Sequence, residues 1–393
     1  MRYLAVHLLL TAMMFVSWYA ARRAPQRDLR WPLWSGIVSR LVLFATPAFL
    51  SHDVARYLWD GYLVTVGLDP YRLTPESAAA LYLTWPAVVD NRQIAAVYPP
   101  GAVALFALCA RSGPALAPWL WRALATLSSI GVLLVSDKLL HRSARRHHLP
   151  WVALSPLLIV ESQVGGHVDA MAALALLAAL CGWRRQRDLL AGLALGAGAL
   201  VKLWPALALL PAVVIGGRRS LVRSGGGAAL VVLVGYGGAL MLGLQPWGGL
   251  DSLFGKCQFG SPLFAALAAG LGGTWSRVSL VVLFIAALAL IAVRARQTRR
   301  LEPALLLTAA APLVFSPVVY PWYLTALVPL TALWPRAWMV GWIVALPFSY
   351  EVIDRFDAAG VWEPAAWPLL LVALAWLIGG AIDLHRWLRA RAQ

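Results

Sequence analysis

Charged residues are scarce in this chain. Only 13% of its 393 residues are Asp, Glu, Lys or Arg, whereas 61% are hydrophobic. A soluble domain carries about 25% charged residues, so this composition excludes an ordinary soluble protein. Apolar blocks recur along the whole length instead, and a backbone in lipid must satisfy its own hydrogen bonds, so these blocks predict membrane-spanning α-helices. We therefore expect an all-α polytopic membrane protein, with one integral domain over residues 1–393 and no soluble domain.

Cysteine and acidic residues are also few. Neither a disulfide framework nor a metal-binding spacing is visible among the three cysteines. We expect no metal and no cofactor. The chain has 17 acidic residues against 33 Lys and Arg, which leaves a net charge of +16. Such an excess would suit a nucleic-acid partner if the basic residues formed one continuous surface.

The basic residues instead lie in short clusters between apolar blocks. This distribution argues against nucleic acid and is typical of cytoplasmic loops under the positive-inside rule, with membrane lipids as partners. We expect a multi-pass protein of the inner (plasma) membrane. The clusters fall at 22–30, 142–146, 184–187, 218–223, 294–300 and 386–391.

Placing these clusters inside predicts a path of about 13 membrane crossings, with the N-terminus outside and the C-terminus inside. The block 3–21 is followed by two arginines rather than by a small-residue cleavage site, so we interpret it as a retained span. A second span, 31–50, leads to a long outer loop, 51–97, which is expected to hold amphipathic helices. Later segments shorter than the roughly 20 residues of a crossing are predicted to be short or re-entrant helices. They are 98–110, the pair 149–160 and 168–183, and the pair 189–202 and 204–216.

Acidic residues cluster on the predicted outer side. This path places twelve of the 17 there, and the outer loops are also rich in Tyr and Trp. Part of the aromatic content is the ordinary interfacial belt. Aromatic side chains beside carboxylates also suit sugar rings, whose C–H faces stack on them while their hydroxyls form hydrogen bonds. We therefore expect the active site on the outer (periplasmic) face.

The stretch SHDVARYLWDG is the most concentrated polar motif. If it is helical, Gly61 is expected to end the helix. One interpretation is a solvated, salt-bridged face after a membrane span. The other is an active-site helix in which one carboxylate, with a pKa raised by burial, acts as a base. Four side chains would share one helix face, namely Asp53, Arg56, Tyr57 and Asp60.

This motif continues into GLDPYRLTP and YPPGAVALF. The pattern over 51–106 resembles the first outer loop of GT-C glycosyltransferases that use polyprenyl-phosphate sugars, and it is most similar to glycosyltransferase family 87 and its bacterial mannosyltransferase-like relatives. Weaker similarity extends to GGHVDAMAAL, 165–174, and VKLWPALALLP, 201–211. The chain departs from the pattern at His52, where many relatives have an acid, and at Asp69, where many have Asn.

The resemblance implies a fold, a reaction and a set of site residues. A sugar, most often mannose in that family, reaches the outer face on polyprenyl phosphate. An acceptor hydroxyl of a lipid or glycan attacks its anomeric carbon with inversion. A carboxylate takes the acceptor proton, and cations stabilise the departing phosphate. Carried over to this chain, the base is Asp53 or, second, Asp60. The phosphate ligands would be Arg56, Lys202 and Arg72, and the substrate-binding residues would be Tyr57, Tyr98, His167, Asp169, Tyr320 and Trp322.

Several of these residues have ordinary structural interpretations that the sequence leaves open. Lys202 could be a lysine that extends its ammonium group to the membrane interface. His167 and Asp169, in GGHVDA, could form a satisfied turn. The aromatic residues of SPVVYPWYL could be a proline-broken interfacial belt. His52 beside Asp53 is a weak signal for a metal.

Two other classes of function are also open. A transporter or flippase for a lipid-linked sugar would use broken helices as well, but such proteins often show internal repeats and charge in mid-membrane, which this sequence does not. A ligase that moves a glycan from a lipid carrier to a polymer would be expected to have a basic, histidine-rich outer loop, whereas 51–97 is mixed. We therefore predict a membrane hexosyltransferase. The sequence does not identify the sugar, the acceptor, the linkage or the oligomeric state.

Overall fold

The computed structural model describes residues 2–24, 28–46, 50–78, 85, 92–249, 257–360 and 362–392. Within these ranges the secondary-structure elements are helices, and an isolated β-bridge joins Phe259 to Val318. The all-α prediction is confirmed for this part of the chain. Its α-helices are α1 (Arg2–Arg23), α2 (Trp31–Leu43), α3 (Asp53–Thr65), α4 (Pro100–Ala110), α5 (Ala117–Arg142), α6 (Leu149–Ala153), α7 (Pro156–Gln163), α8 (Asp169–Arg184), α9 (Asp188–Val201), α10 (Leu209–Ser220), α11 (Gly226–Met241), α12 (Pro262–Thr298), α13 (Leu301–Val314), α14 (Leu327–Leu333), α15 (Ala337–Ala345), α16 (Glu351–Ala359) and α17 (Ala366–Ala392).

Five helical stretches among the described residues are long and apolar enough to cross a membrane. Two of them exceed the roughly 20 residues of a crossing by far, and each contains a glycine in the left-handed region. These are Gly217, with φ 64°, and Gly272, with φ 73°. The backbone at each of these glycines is not helical, so the helix is interrupted there. Glycine adopts such angles without strain. The five stretches are Tyr3–Arg23, Ala117–Arg142, Trp204–Met241, Pro262–Thr298 and Ala366–Ala390.

Other apolar helices are too short to cross a membrane alone. As predicted, α4 is short, with 11 residues and a length of about 17 Å. The second predicted span differs from the structure, because α2 ends at Leu43 instead of reaching residue 50. Short helices are tolerated in a membrane where neighbouring protein surrounds them. The count of about 13 crossings therefore stays a prediction.

The described helices cluster into two compact units. Unit 1 comprises residues 1–38, 136–159 and 258–393. Unit 2 comprises residues 39–135 and 160–257. Three of the four boundaries between them fall within α2, α5 and α7, and the fourth lies between residues 257 and 258, before α12.

Small residues and aromatic rings hold unit 1 together. A Cβ at Gly379 of α17 would overlap the backbone of Trp338 in α15, so the glycine allows these two helices to touch. Trp18 of α1 donates a hydrogen bond to Nδ1 of His148 at 3.0 Å. The indole N–H thus has the partner that a polar group needs when it lies away from water.

Unit 2 also depends on close helix pairs. A Cβ at Gly61 of α3 would overlap the backbone of Phe106 in α4, and Gly192 of α9 approaches the backbone of Ser224 in the same way. The ring of Tyr57 stacks on that of Phe106, with centroids 4.7 Å apart. These rings belong to a buried aromatic core around α3 and α4, and this core positions the polar residues of α3.

The prediction that Gly61 ends the first outer helix is wrong. The helix continues to Thr65, and the chain turns at Gly67, whose φ is 77°. Gly61 keeps a helical backbone because its role is close contact with α4. Residues 79–84 and 86–91 lie outside the described residues, so α3 is the described member of the amphipathic helices predicted over 51–97.

Candidate active site

The polar face of α3 begins in its first turn. Ser51 Oγ accepts a hydrogen bond from the backbone N–H of Asp53 at 3.1 Å. Asp53 stands in the first turn of α3, where a carboxylate interacts favourably with the helix dipole. One turn later, Tyr57 Oη donates a hydrogen bond to Asp53 Oδ2 at 3.2 Å. The predicted helical spacing therefore brings these two side chains into contact.

His167 joins this group from a distant part of the chain. Its Nδ1 lies 3.3 Å from Asp53 Oδ2 and 3.4 Å from Tyr57 Oη. Tyr98 Oη donates a hydrogen bond to Tyr57 Oη at 3.1 Å. The structure therefore brings together four predicted site residues, which we call the Asp53 cluster, namely Asp53, Tyr57, Tyr98 and His167.

The two carboxylate oxygens of Asp53 have different surroundings. Tyr57 and His167 both contact Oδ2. Within the described ranges, Oδ1 has no hydrogen-bond partner. The side chain is 28% exposed, whereas that of His167 is 1% exposed. Oδ1 is therefore the oxygen that an approaching hydroxyl could reach.

A glycine pair fixes the position of the His167 ring. Gly166 has a φ of 63°, which glycine tolerates, and its carbonyl accepts a hydrogen bond from Trp121 Nε1 at 2.7 Å. A Cβ at Gly165 would overlap the imidazole ring. The sequence GGH thus folds the imidazole tightly against its own turn.

Glu161 is the functional candidate that sequence analysis missed. Its Oε2 lies 3.4 Å from His167 Nε2, and both side chains are 1% exposed. It belongs to the last turns of α7, and its carbonyl accepts a hydrogen bond from the backbone N–H of His167 at 3.0 Å. The sequence carried one signal for it, since a lone acid in an apolar segment is costly unless it is paired.

Lys202 and Asp169 form a second polar pair in unit 2. Lys202 follows the end of α9, and its Nζ lies 2.5 Å from Oδ1 of Asp169, the first residue of α8. The side chains are 17% and 3% exposed. In the sequence these two residues belong to two separate predicted turns, GGHVDA and VKLWP. The structure joins the two turns through this ion pair.

The groups around Asp53 set its protonation state. Burial alone would raise the pKa of its carboxyl. The hydrogen bond and charge of His167, the hydrogen bond of Tyr57 and the charge of Lys202 lower it, and the pKa ends below its ordinary value. The expectation of a base with a raised pKa is therefore wrong for Asp53, because donors and cations surround it. Asp53 is a carboxylate at neutral pH.

Tyr57 keeps its proton beside this carboxylate. Burial raises the pKa of its phenol well above the ordinary value, and the charge of Asp53 raises it further. Tyr57 therefore donates to Asp53 and accepts from Tyr98 as a neutral hydroxyl.

Asp60 has its own partner on α3. Arg56 Nε donates to Asp60 Oδ1 at 2.9 Å, and Arg56 Nη2 donates to the carbonyl of Ile94 at 2.6 Å. The Asp60 side chain is 1% exposed. Burial raises the pKa of Asp60 to about 6, although the charge and hydrogen bond of Arg56 oppose this. The single polar face predicted for α3 thus carries two carboxyl groups of different character.

Arg72 is exposed, and the residues around it have structural roles. Asp69 Oδ1 accepts a hydrogen bond from the backbone N–H of Tyr71, and Oδ2 accepts one from that of Gln245, each at 3.0 Å. Tyr71 Oη donates to the carbonyl of Tyr98 at 3.0 Å. The DPY motif therefore anchors the backbone that carries Tyr98.

Tyr320 and Trp322 belong to unit 1, whereas the Asp53 cluster belongs to unit 2. The rings of Tyr320 and Trp322 stack with their centroids 4.4 Å apart. The ring of Phe259 stacks on that of Tyr320, with a centroid distance of 4.7 Å. A cavity of about 370 Å³ lies within unit 1, and its lining includes Phe259, Ser349 and Glu351. Two phenylalanines, Phe259 and Phe264, are the aromatic residues of its lining.

The long apolar helices and the buried polar cluster define a helical membrane protein with an enzyme-like site. The model of glycosyltransferase family 87 matches residues 96–321, more than half of the chain, so the chain belongs to this family and is a membrane glycosyltransferase. The match includes Tyr98, Glu161, His167, Asp169 and Lys202, and it begins after α3. Searches of curated proteins and of solved structures give no match.

Proposed function

We propose that this protein transfers a hexose from a polyprenyl-phosphate donor to an acceptor hydroxyl, with inversion and with Asp53 as the base. The acceptor O–H proton passes to Asp53 as the acceptor oxygen bonds to the anomeric carbon. The bond from that carbon to the phosphate oxygen breaks in the same step, and polyprenyl phosphate leaves. Mannose is the first sugar to test, and the acceptor is a lipid or a glycan.

The observation that carries this proposal is the asymmetry of Asp53. Its Oδ2 is held by Tyr57 and His167, which fixes the direction of the carboxylate. Its Oδ1 has no hydrogen-bond partner in the described part of the chain, and the side chain is partly exposed. A base must be ionised and must lie within hydrogen-bond reach of the proton that it takes. Asp53 meets the first condition and offers one oxygen for the second.

Cationic side chains can stabilise the departing phosphate. Lys202 is our first candidate, because its Nζ pairs with Asp169, two residues after His167, and its charge lowers the pKa of Asp53. An ammonium has three N–H donors, so it can bind an anion while it stays paired with Asp169. Arg56 is a second candidate, although Asp60 and the carbonyl of Ile94 already orient its guanidinium. Arg72, which is exposed, is the third.

The remaining site residues receive roles that follow from their positions. Asp60 is the second candidate base, since a pKa of about 6 is suited to proton transfer near neutral pH. Tyr57, Tyr98, His167 and Asp169 shape the polar wall of the site in unit 2. Within unit 1, we propose Tyr320 and Trp322 as substrate-binding residues.

The membrane placement is part of the proposal. We propose a GT-C-type path of about 13 crossings in the inner membrane, with residues 51–97 and the active site on the periplasmic side. The basic clusters between apolar blocks support this sidedness. Membership of a glycosyltransferase family favours an enzyme over a transporter or flippase.

Sugar transfer by the purified protein in nanodiscs tests the proposal. Polyprenyl-phosphate-mannose and polyprenyl-phosphate-glucose are supplied with a panel of lipid and glycan acceptors, and the release of polyprenyl phosphate is measured. We expect transfer with one donor and its loss in Asp53→Asn, which keeps the shape of the side chain and removes its charge. Asp28→Asn makes the same change at an exposed residue and should be fully active. Equal rates in Asp53→Asn and the unmodified protein would remove the assignment of the base.

A further inference from the structure

We propose that Glu161 is a positioning residue that acts through His167 to keep Asp53 ionised and aimed at the acceptor. This inference rests on the proposed function. Glu161 does not touch Asp53; the imidazole lies between them. One ring nitrogen of His167 is 3.3 Å from Asp53 Oδ2, and the other is 3.4 Å from Glu161 Oε2.

The hydrogen-bonding chemistry of imidazole identifies the charge state that fits this arrangement. A neutral imidazole has one N–H donor and one acceptor nitrogen, whereas the imidazolium has two donors. Each ring nitrogen of His167 lies within 3.4 Å of a carboxylate oxygen, and the contact of Nε2 with Glu161 Oε2 is one of charge rather than a hydrogen bond. An acceptor nitrogen would repel the oxygen in front of it, so the doubly protonated ring matches both contacts. We therefore assign the three groups as carboxylate, imidazolium and carboxylate.

Burial makes Glu161 necessary for that state. His167 and Glu161 are each 1% exposed, and burial in a medium of low polarity disfavours a lone charged imidazole. The carboxylate of Glu161 compensates for this penalty. The imidazolium in turn is an opposite charge beside Asp53, and its hydrogen bond and charge are the main influences that keep the pKa of Asp53 low.

The other charged and titratable groups near Asp53 and His167 limit how large the effect of Glu161 can be. The charge of Lys202 also favours the ionised form of Asp53, and the carboxylate of Asp169 partly offsets that charge through its ion pair. Removing Glu161 should therefore weaken the ionised form without abolishing it. The facing groups are Asp53 and Tyr57 of α3, Tyr98 before α4, Glu161 of α7, Asp169 of α8 and Lys202 after α9.

The first test is the pH profile of Glu161→Gln, which keeps the shape of the side chain and removes its charge. An opposite charge in contact lowers a carboxyl pKa by roughly one to three units. We expect the acidic limb of kcat/KM to lie about one to two pH units higher in the variant. Its activity should fall toward pH 5 and approach that of the unmodified enzyme above pH 7. Glu363→Gln makes the same change at an exposed position and should leave the profile unchanged.

The second test does not depend on activity. Selective ¹⁵N-histidine labelling, with the His167 signal assigned through His167→Asn, reports the protonation of each ring nitrogen. We expect imidazolium at pH 7 in the unmodified protein and a neutral ring in Glu161→Gln. A neutral His167 in the unmodified protein would overturn the proposal even if the variant failed to fold.

The two tests separate this inference from the proposed function. A folded Glu161→Gln protein with an unshifted acidic limb and a charged His167 would refute the role of Glu161, while Asp53-dependent transfer by the unmodified enzyme would still support the reaction. Absence of transfer by the unmodified protein would count against the reaction, and the ¹⁵N signals would still decide whether Glu161 keeps His167 charged.

Discussion

At the scale of single residues, two carboxyl groups on one face of α3 have pKa values that are shifted in opposite directions. Asp53 lies beside Tyr57 of its own helix and near His167 and Lys202 from other elements, and its pKa is lowered. Asp60 is fully buried with one arginine, and its pKa is raised to about 6. Sequence spacing places both on the same face, but the surroundings decide which of them is ionised across the physiological range.

The burial of Asp60 predicts a pH-dependent contribution to stability. Its pKa is about 6 in the folded protein against 3.8 ordinarily, so the folded state binds the proton more tightly. The protonated group therefore favours the folded state at low pH, and this contribution is lost as the pH rises through about 6. At pH 5 it amounts to about 1.4 kcal/mol. Relative to Asp60→Asn, the unmodified protein should gain thermal stability when the pH falls from 7.5 to 5.

Differential thermal scans in detergent at the two pH values measure this gain. Glu76→Gln, at an exposed acid, serves as the control and should show no comparable change. A difference between the Asp60→Asn and unmodified midpoints that stays constant with pH would contradict the raised pKa.

The Lys202–Asp169 pair predicts a selective effect on the donor. In Lys202→Ala the phosphate loses a cation, so the KM for the polyprenyl-phosphate sugar should rise at least about tenfold, since a charged hydrogen bond contributes about 1.5–3 kcal/mol. The KM for the acceptor should change less. Initial rates with each substrate varied in turn separate the two. Lys138→Ala, at an exposed lysine, is the control, and an unchanged donor KM in Lys202→Ala would remove its phosphate role.

At the scale of elements, the position of the Asp53 cluster depends on the contact between α3 and α4. Gly61 allows the two helices to touch, and the stacking of Tyr57 on Phe106 fixes the rotation of α3. The position of Asp53 follows from that rotation. A change at Gly61 should therefore affect both stability and activity, although Gly61 bears no functional group.

Gly61→Ala tests this dependence on helix contact. The added methyl group would meet the backbone of Phe106 and Ala107, which cannot move aside as a flexible side chain can. Such overpacking costs about 1–3 kcal/mol, so we expect a lower unfolding midpoint and a fall in sugar transfer. Gly238→Ala in α11 is the matched control, because nothing lies within 4 Å of its added Cβ. Equal midpoints for the two variants would show that α3 and α4 are not in close contact.

Local patterns in the sequence predict part of these elements. The face of α3 follows from spacing, and the short helices follow from the length of their apolar runs. The contact of Tyr57 with His167 spans 110 positions, so no local pattern contains it. The lowered pKa of Asp53 and the role that we propose for Glu161 depend on the similarly distant approach of His167 to Asp53, so local patterns do not predict them. Gly61 was misjudged because glycine suits both a helix end and a close helix contact, and only the packed structure distinguishes the two.

The pattern of basic clusters makes a prediction about sidedness at the scale of the whole molecule. Residues 51–97 should face the periplasm and the cluster 294–300 the cytoplasm. With the three native cysteines replaced by serine, single cysteines at the exposed positions Glu76 and Gln297 report this directly. We expect a membrane-impermeant maleimide to label Glu76→Cys in intact cells and Gln297→Cys only after lysis. The reverse pattern would place the active site in the cytoplasm.

The long separation between α3 and His167 also has a consequence for the order in which the site forms during synthesis. The Arg56–Asp60 pair is local, at i and i+4, and it is complete as soon as α3 folds. Asp53 has Tyr57 at once, but the ribosome must add about a hundred residues before His167 and Glu161 emerge, and more before Lys202. Until then Asp53 lacks the contacts with His167 and Lys202 that lower the pKa of its carboxyl. An enzyme that uses Asp53 as its base, as we propose, is therefore incomplete until more than half of the chain has been synthesised.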